Sequence, residues 1–181
     1  MRVAFVPGVI LTKWRRTWAE RYPRTPLETF EVTEADQRRV LVSGEADFCF
    51  ARLPLDTEGL HLIRLYEEQP VVWVAKDHPI SLYDEVTTAD LADEDVRTEV
   101  TDETIAMVAG GGIVLRVPLS VARAHNRRDL AHRPVTDAPT TTVGLAWLAD
   151  RDDPVLDDFV GVVRGRSATS SRTVQERSRR R

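Results

Sequence analysis

The chain has 181 residues and a formal net charge of −4, a length that predicts one domain or two small lobes and excludes large multidomain architectures. Its composition, 42% hydrophobic and 30% charged with 9 Gly and 10 Pro, is typical of a folded globular protein. The longest apolar runs are about as long as a strand, and no signal peptide is apparent, so we expect a cytoplasmic protein without a membrane partner.

The charge is distributed unevenly along the chain. Residues 164–181 carry seven Arg and one Glu, whereas residues 1–163 carry 18 Lys and Arg against 28 Asp and Glu, a net charge of −10. An acidic body repels a phosphate backbone, so we predict no direct sequence-specific DNA binding. The segment 166–181 is interpreted as a disordered basic tail. Weak contact of this tail with nucleic acid stays an open alternative.

The first fifty residues alternate between strand and helix patterns. The first strand is apolar throughout, as in a parallel sheet covered on both faces, and ends at Pro7-Gly8. In the first helix Ile10, Trp14, Trp18 and Tyr22 form a one-sided apolar stripe. Two right-handed βαβ crossovers follow from this order of elements. The predicted strands are 3–6, 27–32 and 46–51, and the predicted helices are 10–22 and 33–44, the second capped by Thr33 and ended by Gly44.

The remainder of the chain predicts further strands and short helices. The strand patterns are 60–65, 70–75, 113–117, 132–135 and 141–148, and the helix patterns are 87–91, 101–109, 118–123 and 153–163. Residues 70–75 are apolar almost throughout, which favours a central strand. The glycines 110–112 lie between a helix and a strand, whereas phosphate loops lie between a strand and the next helix, so we predict no phosphate cradle there.

Neither catalysis nor metal binding is supported by a motif. Cys49 is the one cysteine, so it forms no internal disulfide and is expected to fill space. The four histidines lack the i, i+4 spacing of metal ligands, and no cofactor is predicted. Adjacent acids such as Glu67-Glu68 are interpreted as solvated. A small enzyme therefore remains only as a disfavoured alternative.

A candidate ligand site lies in the loops that follow the first three strands, at Pro7, Thr33 and Arg52. In open α/β sheets ligands bind beyond the carboxyl ends of the strands. A small carboxylate there would meet the amides after Gly8, with Thr33 and Arg52 as donors. The alternative is an ordinary turn, a helix cap and an Arg paired with a carboxylate such as Asp47 or Asp56. The predicted ligand-binding set is Gly8, Val9, Ile10, Thr33, Arg52, Leu53 and Gly111.

Six segments carry a resemblance to a known family. They are 2–8 (RVAFVPG), 18–23 (WAERYP), 41–47 (LVSGEAD), 70–79 (PVVWVAKDHP), 91–93 (LAD) and 107–123 (MVAGGGIVLRVPLSVAR). In this order they resemble the effector-binding domain of LysR-type transcriptional regulators, over residues 2 to about 165. The resemblance implies an α/β, type 2 periplasmic-binding-protein-like fold with two lobes around a cleft. Lobe I would hold about 1–74 plus 145–165, and lobe II about 75–144.

Two departures from the family qualify what the resemblance implies. The family's winged helix-turn-helix and linker helix normally precede this domain, but the chain begins at the domain's first strand, so we expect it to act through a partner. A strand, a helix and a strand that usually follow the LAD segment are missing, which predicts a shortened second lobe. The implied function is a non-catalytic domain that binds a small effector, such as a carboxylate or aromatic acid, as a homodimer. The alternative is a truncated or decayed fragment without a ligand.

Overall fold

The structure is a computed structural model that describes residues 1–125 and 127–165. The predicted tail at 166–181 lies outside these residues. The helices are Thr12–Arg21 (α1), Arg39–Val42 (α2), Asp102–Ala109 (α3), Leu119–Ala124 (α4) and Pro154–Val163 (α5). The strands are Arg2–Phe5 (β1), Glu28–Glu31 (β2), Phe48–Arg52 (β3), Leu60–Glu68 (β4), Pro70–Ala75 (β5), Val96–Arg97 (β6), Val114–Pro118 (β7), Leu130–Pro134 (β8) and Thr141–Leu148 (β9), with 3-10 turns at Pro79–Leu82 and Ala89–Leu91.

The strands form two sheets, one in each lobe. The first has the order β2-β1-β3-β9-β4 and the second the order β6-β7-β5-β8. In the first sheet β1 lies parallel to both β2 and β3, as the strand and helix order predicted, whereas β9 runs antiparallel to β3 and β4. In the second sheet β5 runs antiparallel to β7 and β8. The predicted two-lobed α/β fold is confirmed.

The chain crosses between the sheets twice. It leaves the first sheet at Glu68 and enters the second at Pro70, so Gln69 is the first crossing. It returns between Pro134 and Thr141. The crossings therefore fall several residues before the positions near 74 and 145 that the sequence suggested. An apolar run such as 70–75 fits the centre of either sheet, so pairing rather than composition decides its lobe.

Aromatic side chains fill the core of lobe I between the sheet and the helices α1 and α5. Trp18 is 1% exposed and packs edge-on against Phe159 at 5.4 Å between ring centroids. Phe48 also packs against Phe159, at 4.9 Å. On the opposite face of the sheet, burial raises the pKa of Cys49 to about 12. The thiol is therefore a poor nucleophile, in agreement with the predicted space-filling role.

Two predicted elements are shorter than their patterns. The helix α1 begins at Thr12, so the prediction that Ile10 belongs to its apolar stripe is wrong, and the Ile10 side chain is 77% exposed. In the loop before the helix Val9 and Leu11 are buried instead, in the core of lobe I. The predicted helix at 33–44 is regular only over Arg39–Val42.

Lobe II contains the short β6 and the helices α3 and α4. Only residues 98–101 separate β6 from α3, as expected for a lobe without an intervening strand and helix. Thr101 caps α3 by accepting a 3.1 Å hydrogen bond from the Thr104 amide, and the predicted helix is confirmed. Across the described residues, no helix combines the length and the apolar character that crossing a membrane requires.

Candidate functional site

The loops after β1, β2 and β3 meet at Arg52, the last residue of β3. Its Nη2 donates to the carbonyl oxygen of Pro7 at 3.0 Å, and its Nη1 donates to Glu34 Oε1 at 2.6 Å. The predicted convergence of the three loops is confirmed. Parallel strands cause it, because their carboxyl ends lie at the same edge of the sheet.

Gln37 fixes the backbone of this junction. Its side-chain oxygen accepts from the Arg52 amide at 3.0 Å, and its side-chain nitrogen donates to the Arg52 carbonyl oxygen at 2.9 Å. Both residues are buried, with 5% and 3% exposure. At the end of β3 the Gln37 side chain thus takes the place of a neighbouring strand. It provides hydrogen-bond partners for the buried amide and carbonyl groups of Arg52.

Glu68, at the end of β4, links the two lobes. Its Oε2 accepts from Arg52 Nε at 2.9 Å, and its Oε1 accepts from the hydroxyl of Ser120 in lobe II. The Glu68 side chain is 4% exposed. The interpretation of Glu67-Glu68 as a solvated pair is therefore wrong for Glu68. Its carboxylate is buried and forms an ion pair with Arg52 instead of contacting water.

The buried Arg52 stays charged. Burial acts to lower its pKa, but the hydrogen bonds and negative charges of Glu68 and Glu34 outweigh it, and the net pKa is raised. Each of its three guanidinium nitrogens already donates to a protein acceptor. Arg52 pairs with Glu68 and Glu34 rather than with Asp47 or Asp56.

Gly8 brings the first loop of lobe I against α4 of lobe II. Its φ is +88°, and a Cβ built on it would lie 2.6 Å from Ser120 Oγ and 2.9 Å from the Ser120 carbonyl carbon. The amide of Val9, one of the predicted anion donors, donates to the Val6 carbonyl oxygen at 3.3 Å. The loop after Gly8 thus forms a contact between the lobes.

A cavity of about 320 Å³ lies beside this contact, between the lobes. Arg52 and Leu53 are the members of the predicted ligand-binding set that line it. The lining comprises Glu34, Arg52, Leu53 and Thr141 from lobe I, Pro70, Thr98, Arg116, Val117 and Pro118 from lobe II, and Ala138 and Pro139 from the second crossing. Its lining combines apolar residues with polar and charged ones in nearly equal number.

The other predicted site residues lie near the cavity or away from it. Gly8 forms the contact with α4, Val9 is buried in the core of lobe I, and the Ile10 side chain is exposed. The Thr33 hydroxyl accepts from the Asp36 amide at 3.2 Å, which is a capping role. Gly111 has a φ of +73° in the turn after α3, and its built Cβ would meet no atom within 4 Å.

Arg116 is the functional candidate that the sequence analysis missed. It lies in β7 and lines the cavity. Within residues 1–125 and 127–165, its side chain has no hydrogen-bond or ion-pair partner. The available signal was a single charged residue in the otherwise apolar strand 113–117. A guanidinium without a protein acceptor can bind a carboxylate through two parallel hydrogen bonds.

The part of the chain that the structure describes contains no candidate metal site. No cluster of three or more His, Cys, Asp or Glu side chains there could hold a metal ion. Two features characterise the site. One is the hydrogen-bonded chain Arg52–Glu68–Ser120, which links the two lobes. The other is the cavity lined by Arg116, whose side chain has no partner within the described residues.

Comparison with known proteins agrees with this architecture. The chain is 22% identical to the Hca operon transcriptional activator HcaR of Escherichia coli (strain K12), over 93% of this chain and 68% of that protein. It is 26% identical to the HTH-type transcriptional regulator AlsR of Bacillus subtilis (strain 168), over 52% of this chain and 30% of that protein.

Solved structures of effector-binding domains have the same fold. The BenM effector-binding domain with its effector benzoate superposes with a TM-score of 0.75 at 18% identity, over 91% of this chain and 90% of that one. Against a full-length BenM variant the TM-score is 0.77, and the match spans 66% of that chain. The type 2 periplasmic-binding-protein-like fold is thereby confirmed. Residues 2–100 match the model of the LysR substrate binding domain, more than half of the sequence, and the chain belongs to that family.

Proposed function

We propose that the chain is a non-catalytic effector-binding domain that binds a small organic carboxylate in the cavity between its lobes. It would regulate transcription through a partner or as a homodimer. The observation that carries the proposal is Arg116, which has no side-chain partner within the described residues and lines a cavity bounded by both lobes and the second crossing. A ligand in this position would contact both lobes at once, so its binding could bias their closure.

The chemistry of the cavity favours a small acid. The Arg116 guanidinium would bind the carboxylate, and the hydroxyls of Thr98 and Thr141 offer further donors. Leu53 and Val117 would contact the apolar part of the ligand. A volume of about 320 Å³ is at the lower end of the range for small-molecule sites. Benzoate, the effector in the BenM structure, is a small acid of this class.

The residues predicted from sequence take different roles in this proposal. Leu53 contacts the ligand, and Arg52 positions Glu34 at the edge of the cavity. Gly8 lets the first loop lie against α4 and thereby sets the width of the cleft.

Replacing Arg116 with Met is expected to weaken carboxylate binding by about tenfold or more, because a charge-assisted hydrogen bond contributes about 1.5–3 kcal/mol. The melting temperature of the free protein should hardly change, because the Arg116 side chain has no partner within the described residues to lose. The measurement is calorimetric titration of the full chain with a panel of aliphatic and aromatic monocarboxylates that includes benzoate.

The exposed Arg24 of lobe I provides a matched control for this experiment, since Arg24→Met removes the same charge outside the cavity. Saturating carboxylate at 100 times its Kd should stabilise the wild-type protein by about 2.7 kcal/mol. Equal affinities for wild type and Arg116→Met would remove Arg116 from the site. Binding of no acid in the panel would favour the alternative of a decayed fragment.

Self-association is expected from the apolar side chains on the surface. Leu82 is 87% exposed and Tyr83 is 62% exposed. Arg133 donates to the carbonyl oxygens of Ser81 and Tyr83, which holds this apolar pair in place rather than letting it fold inward. Sedimentation at micromolar concentration should show a species of about twice the 20.4 kDa chain mass. A single species at the chain mass would contradict this prediction.

A further inference from the structure

A second cavity lies in lobe II, away from the cleft. The chain segment around it is positively charged, unlike the rest of residues 1–163. Residues 1–163 have a net charge of −10, but residues 119–134 contain four Arg, two His and one Asp. In an acidic body, such a local excess of positive charge creates an attractive field for anions.

The cavity forms at the edge of the second sheet. Trp73 of β5 lies directly opposite His132 of the edge strand β8, so the two side chains share one face. The helix α4 covers this face with Val121 and Ala122, but it ends at Ala124, short of the strand edge. The space left there has a volume of about 340 Å³ and is lined by Trp73, Ala122, Arg123, Arg127, Leu130 and His132.

Two guanidinium groups and an imidazole thus surround a floor formed by Trp73, Ala122 and Leu130. Among the residues that line the cavity there is no carboxylate. Arg127 is held by Asp129 through hydrogen bonds of 3.0 and 2.5 Å. In contrast, the Arg123 side chain has no hydrogen-bond or ion-pair partner within the described residues.

His132 lies in a partly buried and positively charged environment. Burial, followed by the positive charges of Arg123 and Arg133, holds the pKa of His132 below its ordinary value. Arg133 is itself directed to the other side of the strand, where it binds the carbonyl oxygens of Ser81 and Tyr83. Of the two guanidinium groups that line the cavity, that of Arg127 is paired with Asp129, and that of Arg123 has no carboxylate partner within the described residues.

We propose that this cavity binds the phosphate group of a small phosphorylated molecule, at a site separate from the carboxylate cleft. A dianionic phosphate matches two guanidinium groups and an imidazole better than a monoanionic carboxylate does, because its three terminal oxygens can accept from each of them. The Trp73 and Leu130 floor would contact the organic part of the molecule. The acidic body disfavours a nucleic acid as the source of the phosphate.

The test uses the full chain and two probes, inorganic phosphate and phenyl phosphate, titrated against NaCl of matched ionic strength. Binding is followed by NMR at the His132 ring and by calorimetry. We expect phenyl phosphate to bind more tightly than inorganic phosphate, and Arg123→Gln to weaken both by about tenfold or more. Arg128→Gln removes the same charge from an exposed neighbour outside the lining, and should change affinity less than about twofold.

Several results would overturn the proposal. One is equal sensitivity to Arg123→Gln and Arg128→Gln, which would indicate a diffuse positive surface. Another is no shift at His132 with phosphate beyond that with NaCl. A short duplex DNA that binds more tightly than phenyl phosphate would assign the site to a nucleic-acid backbone instead. The Arg116→Met experiment addresses the cleft alone, so failure of either site is distinguishable from failure of the other.

Discussion

Replacing Arg52 with Ala is expected to lower the free energy of unfolding by about 3–5 kcal/mol, because it leaves the Glu68 carboxylate buried without its charged partner. The two side chains are 3% and 4% exposed, so water cannot replace the lost guanidinium without a rearrangement. The same substitution removes the hydrogen bonds to Pro7 and Glu34. Urea denaturation monitored by Trp fluorescence measures the loss.

Two further variants show whether burial causes this effect. Arg97 and Asp95 form an ion pair with side chains 48% and 51% exposed, so Arg97→Ala should cost at most about 1 kcal/mol. The double substitution Arg52→Met with Glu68→Leu removes both buried charges and should be less destabilising than Arg52→Ala alone. A loss below about 1 kcal/mol for Arg52→Ala would contradict the burial argument and return Arg52 to the group of accessible ligand-binding residues.

The order of elements could be predicted from the sequence because its signals are local. The apolar run at β1 and the glycines 8 and 44 each act within a few residues. The meeting of the first three loops at Arg52 could also be predicted, since it follows from parallel strands alone. These features do not depend on which distant segment each strand contacts.

The chemistry of the site depends on distant pairing, and the sequence did not reveal it. The strand β4 pairs with β9, and its register shifts between Arg64 and Tyr66. The predicted strand ended at residue 65, and the adjacent acids Glu67 and Glu68 were interpreted as solvated, whereas β4 continues past this shift to Glu68 and buries it. The exposure of Arg116 to the cavity likewise depends on the position of the crossing segments.

Gly8→Ala is expected to destabilise the protein through two separate effects. At a φ of +88°, a residue with a Cβ is strained by about 1–2 kcal/mol. The new methyl group would also lie within 2.9 Å of the backbone of Ser120 and Val121, and overpacking of this kind costs about 1–3 kcal/mol more. Because the obstructing atoms are backbone, relief requires α4 to move away from the first loop.

Gly44→Ala separates these two effects, because Gly44 has a φ of +71° and its built Cβ meets no atom within 4 Å. Its cost in urea denaturation should be the backbone strain alone, so the difference between the two variants measures the contact between the lobes. Movement of α4 would also lengthen the hydrogen bond from Ser120 to Glu68 and widen the cleft beside Arg116. Gly8→Ala should therefore weaken carboxylate binding, whereas Gly44→Ala should leave it unchanged. Equal losses of stability in the two variants would show that the contact between Gly8 and α4 adds nothing to the free energy of unfolding. Gly8 would then have no role in setting the width of the cleft.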